Sequence, residues 1–422
     1  MNALLLVLAL AAAPPAEPAP PPLTLELALE MARSNPQIAQ AQGGVVQAQG
    51  QVGVARSGFL PFATATGKAG GTATALGASP SSALYATYGA TVTLNQTVWD
   101  FGRTLGAYLA ARDQERAALA GVDVAWHGVE LAVRTGYYTV LATEALVTVA
   151  DQTVASNQKQ LDLARGLFEV GQRPKFDVTT ADVNYQQSRI SQIQAHDLVV
   201  LSRIALSQSV GQDVSRRPLM MPIVPQDIDL DVPRLMSEAV AARPDLRSVD
   251  LQLLAADEAL SANKSAWYPI LGASANYTWN DSRLPVAGGL PAPNANSWQL
   301  LGTITWPFLS GGADLGRVEA QTGVLASTRA SRDILLLQMR TEVEQAVAGV
   351  NEARARRDMS RTLVGQAKEN LELAQGRYQA GLGTIIDVTT SQTSYTSAQA
   401  QEVKALFDLA SAWAQLQHAI GR

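Results

Sequence analysis

The sequence predicts a mixed α/β membrane protein that contains an internal duplication. Three observations predict it: two similar halves, two charge-poor blocks with strand periodicity, and long segments with helix periodicity. The duplication is clearest where residues 163–171 and 177–180 return as residues 373–381 and 387–390, 210 positions later. Both copies share Leu-Ala-x-Gly-x-aromatic-x-x-Gly, followed by Asp-Val-Thr-Thr. Small repeats have periods of about 20–50 residues, so this period indicates a duplicated half-molecule.

Two blocks, 58–99 and 267–309, almost lack charged residues and alternate apolar with polar side chains. A period of two is typical of a strand with one apolar face and one wet face. Each block therefore predicts a β-hairpin, with tips near 77–82 and 285–296. The expected apolar face carries Val92, Leu94, Val98, Leu271, Ala273, Ala275, Tyr277, Trp279, Trp298, Leu300, Ile304 and Trp306.

The strands are predicted to cross a membrane, and a soluble sheet packed on a core is the alternative. A length of about ten residues, an uncharged wet face and clustered aromatic residues are typical of transmembrane barrels. Four strands cannot close a barrel without leaving an edge in lipid, so the chain must oligomerise. The predicted membrane aromatic belt consists of Trp99, Trp267, Tyr268, Trp279, Trp298 and Trp306.

The segments around each hairpin have helix periodicity. Each half is predicted to contain a short helix, a hairpin, a long helix and a second short helix. The helices are expected at 23–56, 102–169 and 176–210, and at 233–265, 312–379 and 385–420. A helix of about 68 residues spans about 100 Å. A 3-4 spacing of apolar residues predicts a coiled-coil seam in the long helices. The seam residues are Trp126, Val129, Val133, Gly136, Val140 and Thr143, with counterparts Leu336, Met339, Val343, Ala346, Val350 and Ala353.

The predicted organisation is a leader at 1–22, repeats at 23–211 and 233–422, and an equatorial linker at 212–232. The leader joins a short apolar run to a Pro-rich stretch, as expected of a secretory signal peptide. Its first two residues carry no Lys or Arg, so a disordered or membrane-dipping tail is the alternative. Elsewhere no apolar run reaches about 18 residues, and no transmembrane helix is expected.

Composition argues against several functional classes. Charged residues make up 16% of the chain and the net charge is −5, which argues against a nucleic-acid partner. The chain has no cysteine, so neither disulfides nor a lipidated N-terminal Cys are expected. His127, His196 and His418 are scattered without metal-ligand spacing, and no phosphate loop or nucleophile elbow occurs. We therefore expect no enzyme activity, no metal and no cofactor.

Two sets of paired motifs carry a family resemblance. The turns at 171–178 and 381–388 share Gly-x5-Asp-Val. The strand exits at 98–103 and 306–312 share an aromatic-to-Gly entry into the long helix. Together with the duplication, these motifs make the chain similar to the TolC-like outer membrane efflux proteins. The resemblance covers nearly all of the chain after the leader.

The resemblance implies a homotrimer in the outer membrane of a Gram-negative bacterium. Its twelve strands, four per chain, would form one transmembrane β-barrel continuous with a long α-helical coiled-coil tunnel in the periplasm. The implied function is the exit duct of a tripartite efflux system, with a periplasmic adaptor protein, an inner membrane pump and outer membrane lipid as partners. An exit duct for type I protein secretion is one alternative, because the tunnel does not choose its cargo. A soluble periplasmic coiled-coil adaptor is the other.

The resemblance also assigns roles to the two turns. Three copies of an aperture acid would form a ring that favours cations. Thr390 stands where the family often has a second acid, and Gly383 where it often has an Arg, so reduced ion pairing is expected at the aperture. The expected adaptor-docking residues at the periplasmic tip are Gly171, Pro174, Gly381, Gly383 and Thr384, and the aperture candidates are Asp177, Asp387 and Tyr378.

Local structure offers simpler explanations for some of these residues. Thr384 and Asp387 have the spacing of a capping box that opens a helix. Pro174, the counterpart of Thr384, suits a first helical turn. Gly171 and Gly381 suit left-handed turn positions.

Tyr378 and Phe168 occupy the same position in the two repeats. Packing in the helical seam is the default expectation for both side chains. The resemblance adds that Tyr378 can form a hydrogen bond to an acid of the neighbouring turn, with Asp177 as the candidate.

Overall fold

The computed structural model describes residues 21–75, 82–221, 230–283 and 295–422. The expected leader, up to residue 20, and most of both expected hairpin tips lie outside the described residues. The strands are β1 Phe62–Ala75, β2 Ser82–Trp99, β3 Ile270–Arg283 and β4 Ala295–Thr305. The α-helices are α1 Leu25–Ala32, α2 Pro36–Ser57, α3 Arg103–Glu169, α4 Lys175–Val210, α5 Val232–Ala242, α6 Pro244–Lys264, α7 Ala313–Gln379 and α8 Ile385–Ala419.

The two long helices agree with the sequence prediction, and each contains 67 residues. The single short helix predicted before each hairpin is instead two helices. The helical conformation is interrupted just before Pro36 and just before Pro244. Proline has no backbone N–H and disfavours a helical conformation in the residue before it. Arg243 accordingly has an extended backbone, with ψ of 124°.

The chain divides into two compact units, and each combines segments from both sequence halves. The first, called the turn unit, contains the described residues up to Asn35 together with Val129–Asp229 and Ala346–Leu416. The second, called the sheet unit, contains Pro36–Gly128, Leu230–Gln345 and Gln417–Arg422. Helices α3 and α7 contribute to both units.

The predicted helical seam is confirmed at most of its positions. In the turn unit, Val133 and Val140 of α3 are fully buried. Gly136 lies between them, and a Cβ added there would be 3.5 Å from the side chain of Leu206 in α4. A small residue therefore lets α3 and α4 approach closely. The other buried seam residues are Val129, Met339, Val343, Val350 and Ala353.

Tyr137 joins two chain segments inside the turn unit. Its buried hydroxyl lies 2.7 Å from the carbonyl oxygen of Leu23 and 2.5 Å from that of Met220. The backbone N–H of Met220 donates to the same hydroxyl at 3.1 Å. Burial raises the pKa of Tyr137 to about 12, so the hydroxyl keeps its proton as a donor.

The sheet unit contains one antiparallel sheet with strand order β1-β2-β3-β4. The register places Leu94 beside Ala63 and Ala275, and Ala275 beside Leu300. The next row along joins Thr64, Thr93, Asn276 and Gln299. Side chains of directly opposed residues lie on the same face. The predicted division into an apolar face and a polar face therefore extends across all four strands in these rows. At the end of β2 the register shifts between Thr97 and Trp99, so Trp99 and not the expected Val98 lies opposite Leu271.

The sheet unit also contains a buried charge cluster around Arg243. The guanidinium group is almost fully buried, lies 2.5 Å from the Asp245 carboxylate and forms an ion pair with Glu342. His127 and His418 lie nearby with their ring centroids 6.4 Å apart, although they are far apart in the sequence. Burial and the neighbouring Arg243 cation lower the pKa of His418. Within the described ranges, no group of three or more acidic or histidine side chains could hold a metal ion.

None of the helices in the described part of the chain has a segment both long and apolar enough to cross a bilayer.

Candidate functional site

The candidate site consists of the two helical turns in the turn unit. The first turn, residues 170–174, joins α3 to α4, and the second turn, residues 380–384, joins α7 to α8. Gly171 and Gly381 have left-handed backbones, with φ of 75° and 81°. Their N–H groups donate to the carbonyl oxygens of Phe168 and Tyr378 at 2.9 and 3.1 Å, which closes each helix end. The expectation that these glycines serve left-handed positions is confirmed.

The second turn opens α8 with the predicted capping box. The backbone N–H of Thr384 donates to Asp387 Oδ2 at 3.0 Å, and the N–H of Asp387 donates back to Thr384 Oγ1 at 3.2 Å. The N–H and hydroxyl of Thr384 lower the pKa of the exposed Asp387 carboxyl. Its contribution to stability is therefore present above the unfolded pKa of about 4 and is lost as the pH falls through the lower folded pKa.

The first turn opens α4 differently. Pro174 occupies the N-cap position with an extended backbone and makes no side-chain capping bond, so its expected place in the first helical turn is wrong by one residue. A capping box needs a side-chain oxygen and a backbone N–H at the N-cap, and proline has neither. Asp177 therefore does not pair with the N-cap residue as Asp387 does. Its carboxylate turns inward instead and is only 6% exposed.

Tyr378 connects the second turn to the first. Its ring is fully buried, and its hydroxyl donates to Asp177 Oδ2 at 3.0 Å. Burial, the hydrogen bond to Asp177 and the negative charge of Asp177 raise the pKa of Tyr378 to about 12. The ring packs in an apolar cluster with Leu161, Ala164, Ala181, Leu371, Ile385 and Val388. Seam packing and the hydrogen bond are thus both present at Tyr378, whereas Phe168 is 43% exposed and does not follow the packing expectation.

Arg173 completes the connection, and the sequence reasoning missed it. Its Nη2 donates to the carbonyl oxygens of Tyr378 at 2.8 Å and of Gly383 at 3.1 Å. Its guanidinium carbon lies 4.5 Å from the centroid of the Tyr378 ring. A Cβ added at Gly383 would lie 3.2 Å from the Cβ of Arg377. A side chain at this position, where the resemblance leads us to expect an Arg, would therefore be closely packed. The repeat offers the missed signal, because Arg173 is the counterpart of Gly383 in the first turn.

Comparison with known proteins supports the resemblance. The sequence pattern of the outer membrane efflux protein family matches residues 27–212 and 235–422. The chain belongs to this family. It is 25% identical over 334 residues to the solvent efflux pump outer membrane protein SrpC of Pseudomonas putida, an alignment that covers 76% of this chain and 66% of SrpC. The match thus spans just under two thirds of that relative.

Solved channel structures share the fold of this outer membrane efflux family member. The outer-membrane channel OprN superposes with a TM-score of 0.83 at 16% identity, over 94% of this chain and 89% of that one. The outer membrane protein VceC from Vibrio cholerae superposes with a TM-score of 0.81 at 20% identity, over 94% and 96% of the two chains.

Beside the turns of this family member, α3, α4 and α8 meet through polar side chains. Ser156 donates to Gln392 at 2.7 Å, Asn184 donates to Thr389 at 3.0 Å, and the hydroxyls of Thr153 and Thr396 lie 3.1 Å apart. An open groove of about 490 Å³ lies between these helices. Periodicity could not reveal this polar packing, since hydroxyl and amide side chains are equally common on exposed faces.

The predicted aromatic belt belongs to the sheet unit of the efflux-family chain. Trp99, Trp267, Tyr268 and Trp306 lie at the end of the sheet where β2 and β4 finish and β3 begins. Trp279 lies eight residues after Leu271 in the sequence, and Trp298 lies eight residues before Trp306. At about 3.4 Å per residue, the two aromatic levels are about 27 Å apart. All six side chains are exposed in the single chain.

Replacement of Tyr378 by Phe tests the connection between the turns. The variant keeps the ring packing and removes the hydroxyl that donates to Asp177, leaving a largely buried carboxylate without this donor. We expect the free energy of local opening of the turns to fall by about 1–3 kcal/mol. Hydrogen exchange at 173–181 and 378–388 measures it. Tyr395→Phe is the matched control, because the Tyr395 hydroxyl accepts from the Gln399 side chain, one turn further along α8, at a partly exposed site. Equal exchange in Tyr378→Phe and wild type would contradict the expectation.

Proposed function

We propose that this chain is the outer membrane exit duct of a tripartite efflux system. Three copies form a twelve-stranded barrel in the outer membrane and a coiled-coil tunnel in the periplasm. The duct passively conducts substrates from an inner membrane pump and a periplasmic adaptor protein to the exterior. The observation that carries the proposal is a four-stranded antiparallel sheet with one apolar face and two open edges, in a chain of the efflux family.

The open edges support assembly from several copies. Within the described residues, no strand pairs with the outer edge of β1 or of β4. Unpaired backbone N–H and C=O groups each cost several kcal/mol in a bilayer, which has no water to satisfy them. A closed ring of copies removes both edges, because each β4 then pairs with the β1 of the next copy. Four strands per chain let the antiparallel alternation continue unbroken around that ring.

The apolar face and the aromatic residues support contact with outer membrane lipid. Transmembrane barrels have an apolar band about 25 Å tall between two aromatic girdles. The two aromatic levels of this sheet are about 27 Å apart along the strands, which corresponds to about 20 Å of height at the strand tilt of about 35–45° found in such barrels. Each repeat, 23–211 and 233–422, contributes one hairpin to this band, and the leader at 1–22 directs export.

The turns serve as the docking surface for the adaptor protein. Both turns present a left-handed glycine to open space, since no atom lies within 4 Å of a Cβ added at Gly171 or Gly381. Pro174 and Thr384 are exposed beside them, and Gly383 is half-buried. Two turns with nearly the same backbone offer an adaptor similar contacts twice in every copy.

The two aperture acids have different roles in this proposal. Asp387 is exposed, so three copies can form an acidic ring that favours cations. Asp177 is buried under Tyr378 and holds the two turns together. Arg173 adds hydrogen bonds to two carbonyl oxygens, those of Tyr378 and Gly383, and so strengthens the connection between the turns.

Neighbouring residues on opposite faces of β2 test the barrel. Leu94 lies in an apolar row and Thr93 in a polar row. Leu94→Arg places a charge against lipid and is expected to destabilise assembly by about 2–4 kcal/mol near the bilayer midplane. Thr93→Arg faces the water-filled interior and is expected to be tolerated. The yield of heat-modifiable oligomer in outer membranes measures both. Extraction of the wild type without detergent would favour the soluble sheet or adaptor, and equal tolerance of the two variants would contradict the barrel.

Substitution at Gly381 tests docking. Asn tolerates a left-handed backbone, and its side chain has open space at this position. Gly381→Asn is therefore expected to assemble normally but to lose adaptor binding and efflux. Gly211→Asn is the matched control, because Gly211 has a φ of 80° at the end of α4. Pull-down of the adaptor and drug-susceptibility assays measure the effect. Normal adaptor binding by Gly381→Asn would rule out docking on the turn backbone at Gly381.

Conductance in planar bilayers tests the aperture acids. Asp387→Ala is expected to reduce cation selectivity and block by divalent cations, because it removes an exposed ring of charge. Asp177→Ala is expected to keep the block and to raise the frequency of opening, because it removes the acceptor for Tyr378. Unchanged selectivity in Asp387→Ala would leave the capping box as the whole role of Asp387.

A further inference from the structure

At one end of the sheet, the duplication relates the segment after β2 to the segment after β4, and the segment before β1 to the segment before β3. Inside the chain, β2 ends at Trp99 and is followed by Asp100 and Phe101, and β3 is preceded by Trp267-Tyr268-Pro269. Phe101 stacks on Tyr268 there, with ring centroids 5.1 Å apart and an interplanar angle of 20°. Ser265 fixes the arrangement, because its hydroxyl donates to the carbonyl oxygen of Phe101 at 2.9 Å.

The counterparts of this contact lie at the two open edges of the sheet. After β4 the chain reads Trp306-Pro307-Phe308, and before β1 it reads Phe59-Leu60-Pro61. Counted from the strand, Phe308 corresponds to Phe101, and Leu60 corresponds to Tyr268. Ser57 stands where the other repeat has Ser265.

These counterparts are strongly exposed in a single copy. Phe308 is 82% exposed, Leu309 is 83% exposed and Leu60 is 59% exposed. Lipid cannot satisfy the backbone of the β4 edge, so in the proposed barrel a β1 strand of a second copy must lie there. Because β1 begins and β4 ends at the same end of the sheet, the segment after β4 then meets the segment before the next β1.

We propose that Phe308 of one copy packs on Leu60 of the next copy, and that this contact between copies repeats the Phe101–Tyr268 contact inside the chain. The inference rests on the proposed barrel and names the surface that closes it. The exit after β4 is three residues longer than the exit after β2, counted from Trp306 to Gly312 and from Trp99 to Gly102. Phe101 lies two residues before the start of α3, and the residue two positions before the start of α7 is Gly311, which has no side chain. The apolar side chain in this segment must therefore come from the three additional residues, which place Phe308 just after β4.

The contact is heterologous, because two different surfaces meet, and such contacts close only as a ring. Every copy then uses its Leu60 surface once and its Phe308 surface once. A contact between two identical surfaces would instead pair Phe308 with Phe308.

Cysteine cross-linking tests the inference directly, because the chain contains no cysteine. Leu60→Cys with Phe308→Cys in one chain is expected to give a covalent trimer in outer membranes after mild oxidation or a short bismaleimide. Either single variant is expected to stay uncross-linked. Val46→Cys with Phe308→Cys is the matched control, because Val46 is 66% exposed but lies on α2 away from the strand entry.

Each outcome distinguishes this inference from the proposed function. If the double variant forms a conducting, heat-modifiable oligomer without the cross-link, the contact is wrong and the duct stands. If Phe308→Cys alone cross-links, the interface is between identical surfaces and the inference is overturned. If a fluorophore on Phe308→Cys is strongly quenched by brominated lipid, Phe308 faces the bilayer and the inference is also overturned. If the wild-type protein forms no oligomer in the outer membrane, the proposed function is wrong, and the inference that rests on it is wrong as well.

Discussion

The need to pair every backbone N–H and C=O group of a sheet in lipid is the constraint on which the proposed assembly depends. The described part of the chain provides four strands, and within it the outer edges of β1 and β4 are unpaired. Its apolar sheet face is also exposed as long as the chain is alone. In the proposed assembly a single copy is therefore incomplete, because each of its two outer strands needs a strand of a neighbouring copy.

Sequence periodicity predicted the elements well and their ends less well. Helices α3 and α7 and the alternating faces of the strands follow from local spacing, because many residues contribute to each pattern. The breaks at Pro36 and Pro244 were missed since one residue overrides a helical pattern. The meeting of His127 with His418 and the contacts of Arg173 depend on residues far apart in the chain, and local periodicity carries no information about them.

The duplicated turns show how a repeat can become asymmetric without changing its backbone. Gly171 and Gly381 have almost the same φ, yet the side chains around them differ. The second turn supplies Tyr378, and the first supplies Arg173 and Asp177. Each turn thus lacks what the other provides. Mutual dependence of this kind favours retention of both copies, because neither turn can be replaced by a duplicate of the other.

The hydroxyl of Tyr137 has a consequence for shortening the chain from its N-terminal side. Its partners are the carbonyl oxygens of Leu23 and Met220, and Leu23 is fully buried. A peptidase cut on the C-terminal side of Leu23 would remove one acceptor and open a hole in the helical core. A truncation that keeps Leu23 therefore retains this acceptor, whereas a chain that begins at residue 24 loses one of the two carbonyl partners of Tyr137.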